Sequence, residues 1–306
     1  MRTILFVKTS SLGDVVHNCP AVSDVARALP DARIDWVVEE PFAGIAAMHR
    51  AVRRVIPVAV RRWRAALWQP SIWSEIGAWR CALRAESYDA VIDTQSLLKS
   101  AVITRTAVGI RHGLDRASAR EWLAPLFYDV RHAVPRGLHA VERNRRLAAS
   151  ALHFSLEKSV DYGLRAPAVE KSRYVVLLTM TSRADKLWPE ARWIELAREL
   201  RMPAMLPWGS EAERSRAQRI ATAIGGTAIP RRLAADELAR LFAAATLVIG
   251  LDTGLTHLAA ALDVPTVGIY CGSDPVLTGL YGAPRAKNVG AAGRVPEVAE
   301  VLQAAK

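Results

Sequence analysis

Short apolar runs alternate with helix-length amphipathic segments from one end of the sequence to the other, and this alternation restricts the fold more than any other feature. In the first half, Ile4–Val7, Ile34–Val38, Val55–Val60 and Ala90–Ile92 read as strands. Between the first two, Ala21, Val22, Val25, Ala26 and Leu29 fall on one face of a helix. In the second half, Tyr174–Leu178, Ala204–Leu206, Leu247–Gly250 and Thr266–Tyr270 read as strands, with helices over Pro189–Leu200, Glu211–Ile224, Ala235–Ala245 and Leu255–Leu262. Strands separated by helices predict an α/β chain with two doubly wound parallel sheets. The periodicity breaks around Ser155–Ala168, at Gly163 and Pro167, which predicts domains over 1–163 and 164–306. A last helix, Pro296–Ala304, is short enough to pack on either. Open α/β sheets bind ligands beyond the C-terminal ends of their strands, so function is to be sought in the loops that follow strands.

A length of 306 residues fits two domains of about 150 residues each. With 51% hydrophobic and 23% charged residues, the chain is neither disordered nor fibrous. No run approaches the ~20 apolar residues of a membrane span. The apolar run Ile4–Val7 is too short for the core of a signal peptide, so a cytoplasmic location is expected. Cys19, Cys81 and Cys271 lie far apart without CxxC spacing, which argues against a disulfide framework or a structural zinc site. The net charge is +11, and residues 1–160 hold most of the excess, with 23 basic against 15 acidic side chains. Such a surface points to an anionic partner: nucleic acid, an acidic small molecule or a membrane face.

The loop after the first strand, Lys8-Thr9-Ser10-Ser11-Leu12-Gly13-Asp14, matches neither GxGxxG nor GxxxxGK[ST]. A dinucleotide-binding turn and a P-loop are therefore not expected. It offers hydroxyls and one carboxylate where a helix begins, and Asp14 can equally be an N-cap or first-turn acid. From Pro41 to Ser74 there is no Asp or Glu, yet six arginines occur, among them Arg61, Arg62 and Arg64, interleaved with Trp63, Trp68 and Trp73. Arginine forks match phosphate and carboxylate oxygens, and tryptophan favours a membrane–water interface; the plainer reading is a solvated basic face over packed tryptophans. Nucleic acid would use the same chemistry, but no helix-turn-helix, RRM or KH pattern is present. Thr179–Pro189 carries hydroxyls and Lys186 between a strand and a helix, which suits a phosphate cradle or a capped helix start. Gly250-Leu251-Asp252-Thr253-Gly254-Leu255-Thr256-His257 ends a buried strand in a turn whose amides open into an Ala-rich helix. That helix start is an anion site, with His257 one turn inside, or else a capped helix with a packed histidine.

Taken together, these segments resemble glycosyltransferase family nine, the lipopolysaccharide heptosyltransferases. The resemblance rests on Val7–Val15, Trp36-Val37-Val38-Glu39-Glu40, Arg61-Arg62-Trp63-Arg64, His139-Ala140-Val141-Glu142-Arg143, Lys186-Leu187-Trp188-Pro189, Leu206-Pro207-Trp208-Gly209 and Asp252–His257, and so spans nearly the whole chain. It implies a GT-B fold, two Rossmann-like domains facing a cleft. It also implies an inverting, metal-independent transfer of heptose from ADP-L-glycero-β-D-manno-heptose to the Kdo of Kdo2-lipid A, with no cofactor, at the cytoplasmic face of an anionic inner membrane. By the same resemblance Asp14 is the catalytic base. Thr181, Ser182, Lys186, Glu213, Leu233, Asp252, Thr253, Gly254 and His257 hold the donor, Leu233 through its backbone. Ser10, Ser11, Arg61, Arg62, Arg64 and Arg120 hold the acceptor. Ser182 stands where relatives often have Thr, and Ala65 where they often have Lys. Two other readings fit the residues: a family member acting on a later core acceptor, or a non-catalytic protein that binds anionic lipid.

Overall fold

The computed structural model describes residues 1–181, 183–225 and 229–306, and elements and contacts are counted among these. The chain divides into two units, Met1–Gly163 and Leu164–Lys306. The first contains strands β1 (Thr3–Val7), β2 (Arg33–Glu39), β3 (Val52–Val58), β4 (Ser87–Asp93), β5 (Val108–Leu114) and β6 (Val130–His132). Its helices are α1 (Leu12–Ala28), α2 (Ala43–Ala47), α3 (Val60–Ala65), α4 (Pro70–Arg84), α5 (Leu98–Thr106) and α6 (Ala140–Leu152). The second contains β7 (Val175–Leu178), β8 (Ala204–Met205), β9 (Leu247–Leu251), β10 (Thr266–Tyr270) and β11 (Ala286–Gly290). Its helices are α7 (Glu190–Leu200), α8 (Glu211–Ala223), α9 (Ala235–Ala244), α10 (Gly254–Ala261), α11 (Pro275–Thr278) and α12 (Val298–Ala305).

The first sheet runs β3-β2-β1-β4-β5-β6 and every pairing is parallel. β1 lies at its centre, and its Ile4, Leu5, Phe6 and Val7 are fully buried, as befits a strand covered on both faces. The order reverses between β1 and β4, and at such a switch point the loops after the two strands part to leave a crevice. The second sheet runs β11-β10-β9-β7-β8, also parallel, and reverses between β7 and β9. Its core is built on Val175, Leu177, Trp188, Trp193, Leu196, Ile249 and Ile269. Trp193, Leu196 and Ala197 are the buried stripe of α7, at i, i+3 and i+4. Val298 and Val301 of α12 join this core, so the last helix packs on the second unit.

In the first unit α1 packs along α6, and the two are pinned by a buried ion pair in which Arg145 Nε donates to Asp24 Oδ2 at 2.6 Å. The same guanidinium donates to the carbonyls of Glu157 and Ser159, so one side chain fixes α1, α6 and the segment leading to the second unit. Three strands lie outside the sequence expectation: β5, β6 and β11. No helix among the described residues is long and apolar enough to cross a membrane.

Candidate active site

Asp14 lies on the first turn of α1, immediately beyond the C-terminal end of β1. Ser11 is the N-cap, so Asp14 is a first-turn acid and not the cap. Its Oδ2 accepts from the Ser11 N–H at 3.1 Å. Arg120, carried by the β5–β6 connection, donates through Nη2 to Asp14 Oδ1 at 2.6 Å and through Nη1 to Oδ2 at 3.3 Å. Lys8 Nζ stands 3.8 Å from Oδ1. Burial alone would push the Asp14 carboxyl up, but Lys8 and Arg120 outweigh it and hold the group well below the usual carboxylate range.

Lys8 is itself buried, and the loss of hydration pushes its ammonium down to about 8 against the opposing pull of Asp14. It is held by donation to the Thr94 carbonyl, 2.8 Å away at the end of β4. Gln95 ties the two sides of the switch point together, its Oε1 accepting from the amides of Thr9 at 2.9 Å and Ser10 at 3.2 Å. Lys99, at the start of α5, donates to Ser10 Oγ at 2.6 Å. The structure thus gathers Ser10, Ser11, Asp14 and Arg120 at the β1/β4 switch point. His17 is buried further along α1, its ring edge-on to His139 at 5.5 Å.

The arginine segment forms α3 and its approaches. Both acids that bound it fold back onto it: Arg62 donates to Glu40 Oε1 at 2.8 Å and to Glu75 Oε1 at 2.6 Å. The Arg61 amide donates to Glu39 Oε1, whereas the Arg61 and Arg64 guanidinium groups form no ion pair among the described residues. Trp63 is buried against Trp79, and Trp68 and Trp73 are exposed.

In the second unit Asp252 follows β9 and Lys186 lies on the loop after β7, the two sides of that sheet's switch point. Lys186 Nζ donates to Asp252 Oδ2 at 2.6 Å. Ser273 Oγ donates to the same oxygen at 2.6 Å, and His257 Nε2 lies 3.3 Å from Oδ1. Burial would raise the Asp252 carboxyl, but His257, Lys186 and Ser273 hold it well below the ordinary range. Thr253 is the N-cap of α10 and Gly254 its first residue, so their amides point out of the helix start toward whatever occupies the crevice. Gly250 allows this turn to form, since a Cβ there would stand 2.3 Å from Thr256 Oγ1 and 2.9 Å from the Leu178 side chain.

Thr181 lies half-buried on the loop after β7. Ser182 lies outside the described residues. Glu213 sits on the first turn of α8, where its Oε2 accepts from the Gly209 amide at 2.6 Å. Leu233 is half-buried in the segment before α9. Sequence reasoning did not single out Gln95, Lys99 or Ser273. Each becomes visible once the strand order sets β4 beside β1, or β10 beside β9. Among the described residues no three His, Cys, Asp or Glu side chains converge as a metal centre would require.

The family description "Glycosyltransferase family 9 (heptosyltransferase)" matches residues 76–303 of the chain. The chain belongs to glycosyltransferase family 9. Within that family it is 50% identical over 291 residues to lipopolysaccharide heptosyltransferase 1 of Pseudomonas aeruginosa, covering 91% of this chain and 81% of that one. Among solved structures it resembles the E. coli heptosyltransferase WaaC with ADP, at 43% identity and a TM-score of 0.89, covering 98% of this chain and 96% of that chain. The same E. coli enzyme with ADP-2-deoxy-2-fluoro heptose aligns at 42% identity and a TM-score of 0.86, covering 97% and 95% of the two chains. The fold of this family 9 member is GT-B, an α/β architecture of two parallel-sheet units.

Proposed function

We propose that this family 9 enzyme transfers L-glycero-D-manno-heptose from ADP-heptose to the Kdo of Kdo2-lipid A, with inversion, as the first heptose of the lipopolysaccharide inner core. The observation that carries the reading is a carboxylate at the first switch point ringed by cations. Asp14 accepts from Arg120, faces Lys8, and lies on the first turn of α1, just after a loop whose Ser10 hydroxyl is held by Lys99. An acceptor hydroxyl next to an anionic group needs both parts: a base for its proton and positive charge for its carboxylate or phosphates.

The attacking hydroxyl has a pKa far above neutrality, so its proton leaves as the new C–O bond forms, and Asp14 takes it. With Arg120 and Lys8 engaged, Asp14 is a weak base. An acceptor carboxylate that draws Arg120 to itself relieves the carboxylate of one counter-charge and raises its basicity as the complex forms. On the donor side, the α10 amides and Lys186 supply positive charge where the diphosphate leaves. In this reading Asp252 orients Lys186 and His257, Glu213 accepts from a ribose hydroxyl, the Leu233 backbone and Thr181 and Ser182 complete the donor contacts, and Arg61, Arg62 and Arg64 meet the acid groups of the acceptor. The enzyme works at the cytoplasmic face of the inner membrane, where such an acceptor is anchored.

ADP release tests this with purified enzyme, ADP-heptose and either Kdo2-lipid A or a core that already bears one heptose. The reading expects release only when donor and acceptor are both present, and with Kdo2-lipid A strongly preferred. Turnover only on the heptosylated core would assign the enzyme to a later step, and no release with either acceptor would remove the activity.

A further inference from the structure

Outside the crevice, the first unit exposes four large apolar side chains close together on α5 and the β5–β6 connection. Leu98 is 39% exposed, Val102 49%, Trp122 61% and Leu126 68%. Leu98 and Val102 are one turn apart on the same face of α5. The Glu121 carboxylate accepts from the Leu98 amide at 2.5 Å, which sets Trp122 beside the start of that helix. Ala101 packs on Ala124 beneath them, which brings the turn bearing Leu126 against α5. These residues therefore form one surface, and nothing among the described residues covers it.

The rim of this surface is basic. Arg116 lies over the Trp122 ring at 5.4 Å, Arg131 Nε donates to the Pro125 carbonyl at 2.8 Å, and exposed Arg105 lies in the last turn of α5. Residues 98–131 hold six basic and three acidic side chains. The acids are already engaged: Glu121 by the Leu98 amide, Asp115 by the Ser118 amide at 2.8 Å, and Asp129 by Arg111. An apolar patch of this kind inside a ring of arginines suits a bilayer with anionic headgroups, into whose interface tryptophan and leucine insert while the arginines meet phosphate. The patch is also continuous with the crevice. Lys99, next to Leu98, reaches Ser10, and Arg120, two residues before Trp122, reaches Asp14. A lipid-anchored acceptor would thus emerge from the bilayer beside the base.

We propose that Leu98, Val102, Trp122 and Leu126 form the surface by which this enzyme docks on an anionic lipid bilayer. The proposal rests on the acceptor reading above for its orientation, but its first readout, vesicle partitioning, does not depend on turnover. The probe is vesicles of phosphatidylglycerol and phosphatidylethanolamine, sedimented with wild-type protein and with a Trp122→Gln/Leu126→Gln double variant. Both side chains are exposed, so the variant keeps its fold, which circular dichroism checks. The expected result is at least a tenfold fall in vesicle partitioning for the variant, with unchanged ADP release from donor and a deacylated, water-soluble acceptor. Equal partitioning of variant and wild type would overturn the proposal. So would a loss of turnover on the soluble acceptor, which would assign the patch to sugar binding, or a wild-type dimer that the substitutions dissolve, which would assign it to a second copy of the chain. Failure of the heptosyltransferase reading would appear separately, as absence of ADP release from the wild type.

Discussion

Lys186 and Asp252 come from loops 66 residues apart and meet at 2.6 Å, and the same carboxylate also holds Ser273 and His257. In the proposed reading Asp252 organises the donor loop and Lys186 supplies its charge to the leaving diphosphate. Lys186→Ala is expected to lower kcat more than ADP affinity, because its charge matters most as the diphosphate leaves. Asp252→Ala is expected to weaken ADP binding itself, since Lys186, His257 and Ser273 all lose their partner; calorimetry with ADP and steady-state kinetics separate the two. In the proposed acceptor site, Arg62 is already shared between Glu40 and Glu75, whereas Arg61 and Arg64 have no carboxylate partner among the described residues. Replacing Arg61 and Arg64 by Gln should therefore raise the acceptor KM well beyond the effect of Arg62→Gln alone, with the donor KM nearly unchanged. A charge-assisted contact contributes about 1.5–3 kcal/mol where water is excluded. A rise in the donor KM would place these arginines on the wrong substrate. The composition of residues 41–74 revealed the arginines but not the pairing, because the two acids that neutralise Arg62 lie just outside the acid-free stretch and reach it only through the fold.

At the scale of elements, the buried strands were legible because a parallel strand covered on both faces is a plain apolar run. β5 was not, because Val-Gly-Ile-Arg-His-Gly-Leu breaks that run twice with glycine. The structure gives the reason for one of them: a Cβ on Gly113 would stand 2.1 Å from the Tyr128 ring, whose hydroxyl donates to the buried Asp93 at 2.8 Å. β6 and β11 are edge strands with little buried side-chain surface, so their sequences carry no pattern to read. The turn from α2 to β3 is held by His49, whose Nδ1 accepts from the Ala51 amide at 3.2 Å and whose Nε2 donates to the Cys19 carbonyl at 3.1 Å. Both ring nitrogens are thereby committed to the neutral form, and burial pushes the group down to about 4. Its ordinary value in the unfolded chain is about 6.5. Between these values the unfolded chain binds the extra proton, so the contribution of His49 to stability is complete above about pH 6.5 and is lost progressively as the pH falls toward 4. Urea unfolding across this window should show a slope of up to about 1.4 kcal/mol per pH unit from this group. His49→Gln should be less stable at pH 7 and should lose that part of the acid slope. An unchanged slope would mean that His49 is not the titrating group.

Over the whole molecule, the two sheets repeat one design: the order reverses once, and a carboxylate–cation pair spans the reversal, Asp14 with Arg120 in the first unit and Asp252 with Lys186 in the second. The α/β class was legible from the alternation of strands and helices. The two crevices were legible only as loops, because strand order is a tertiary property that apolar periodicity does not encode. The positive charge of the chain is concentrated in the first unit, in keeping with an anionic acceptor there. The central claim is that Asp14 takes the proton of the acceptor hydroxyl. The most direct test is kcat for Asp14→Asn with ADP-heptose and Kdo2-lipid A, alongside calorimetry with ADP and thermal unfolding of the same protein. The expected result is a fall in kcat of roughly 10² to 10⁴, with ADP affinity and folding little changed. A folded Asp14→Asn enzyme with near wild-type kcat would contradict it, and would leave Asp14 as a first-turn acid of α1 that serves the helix alone.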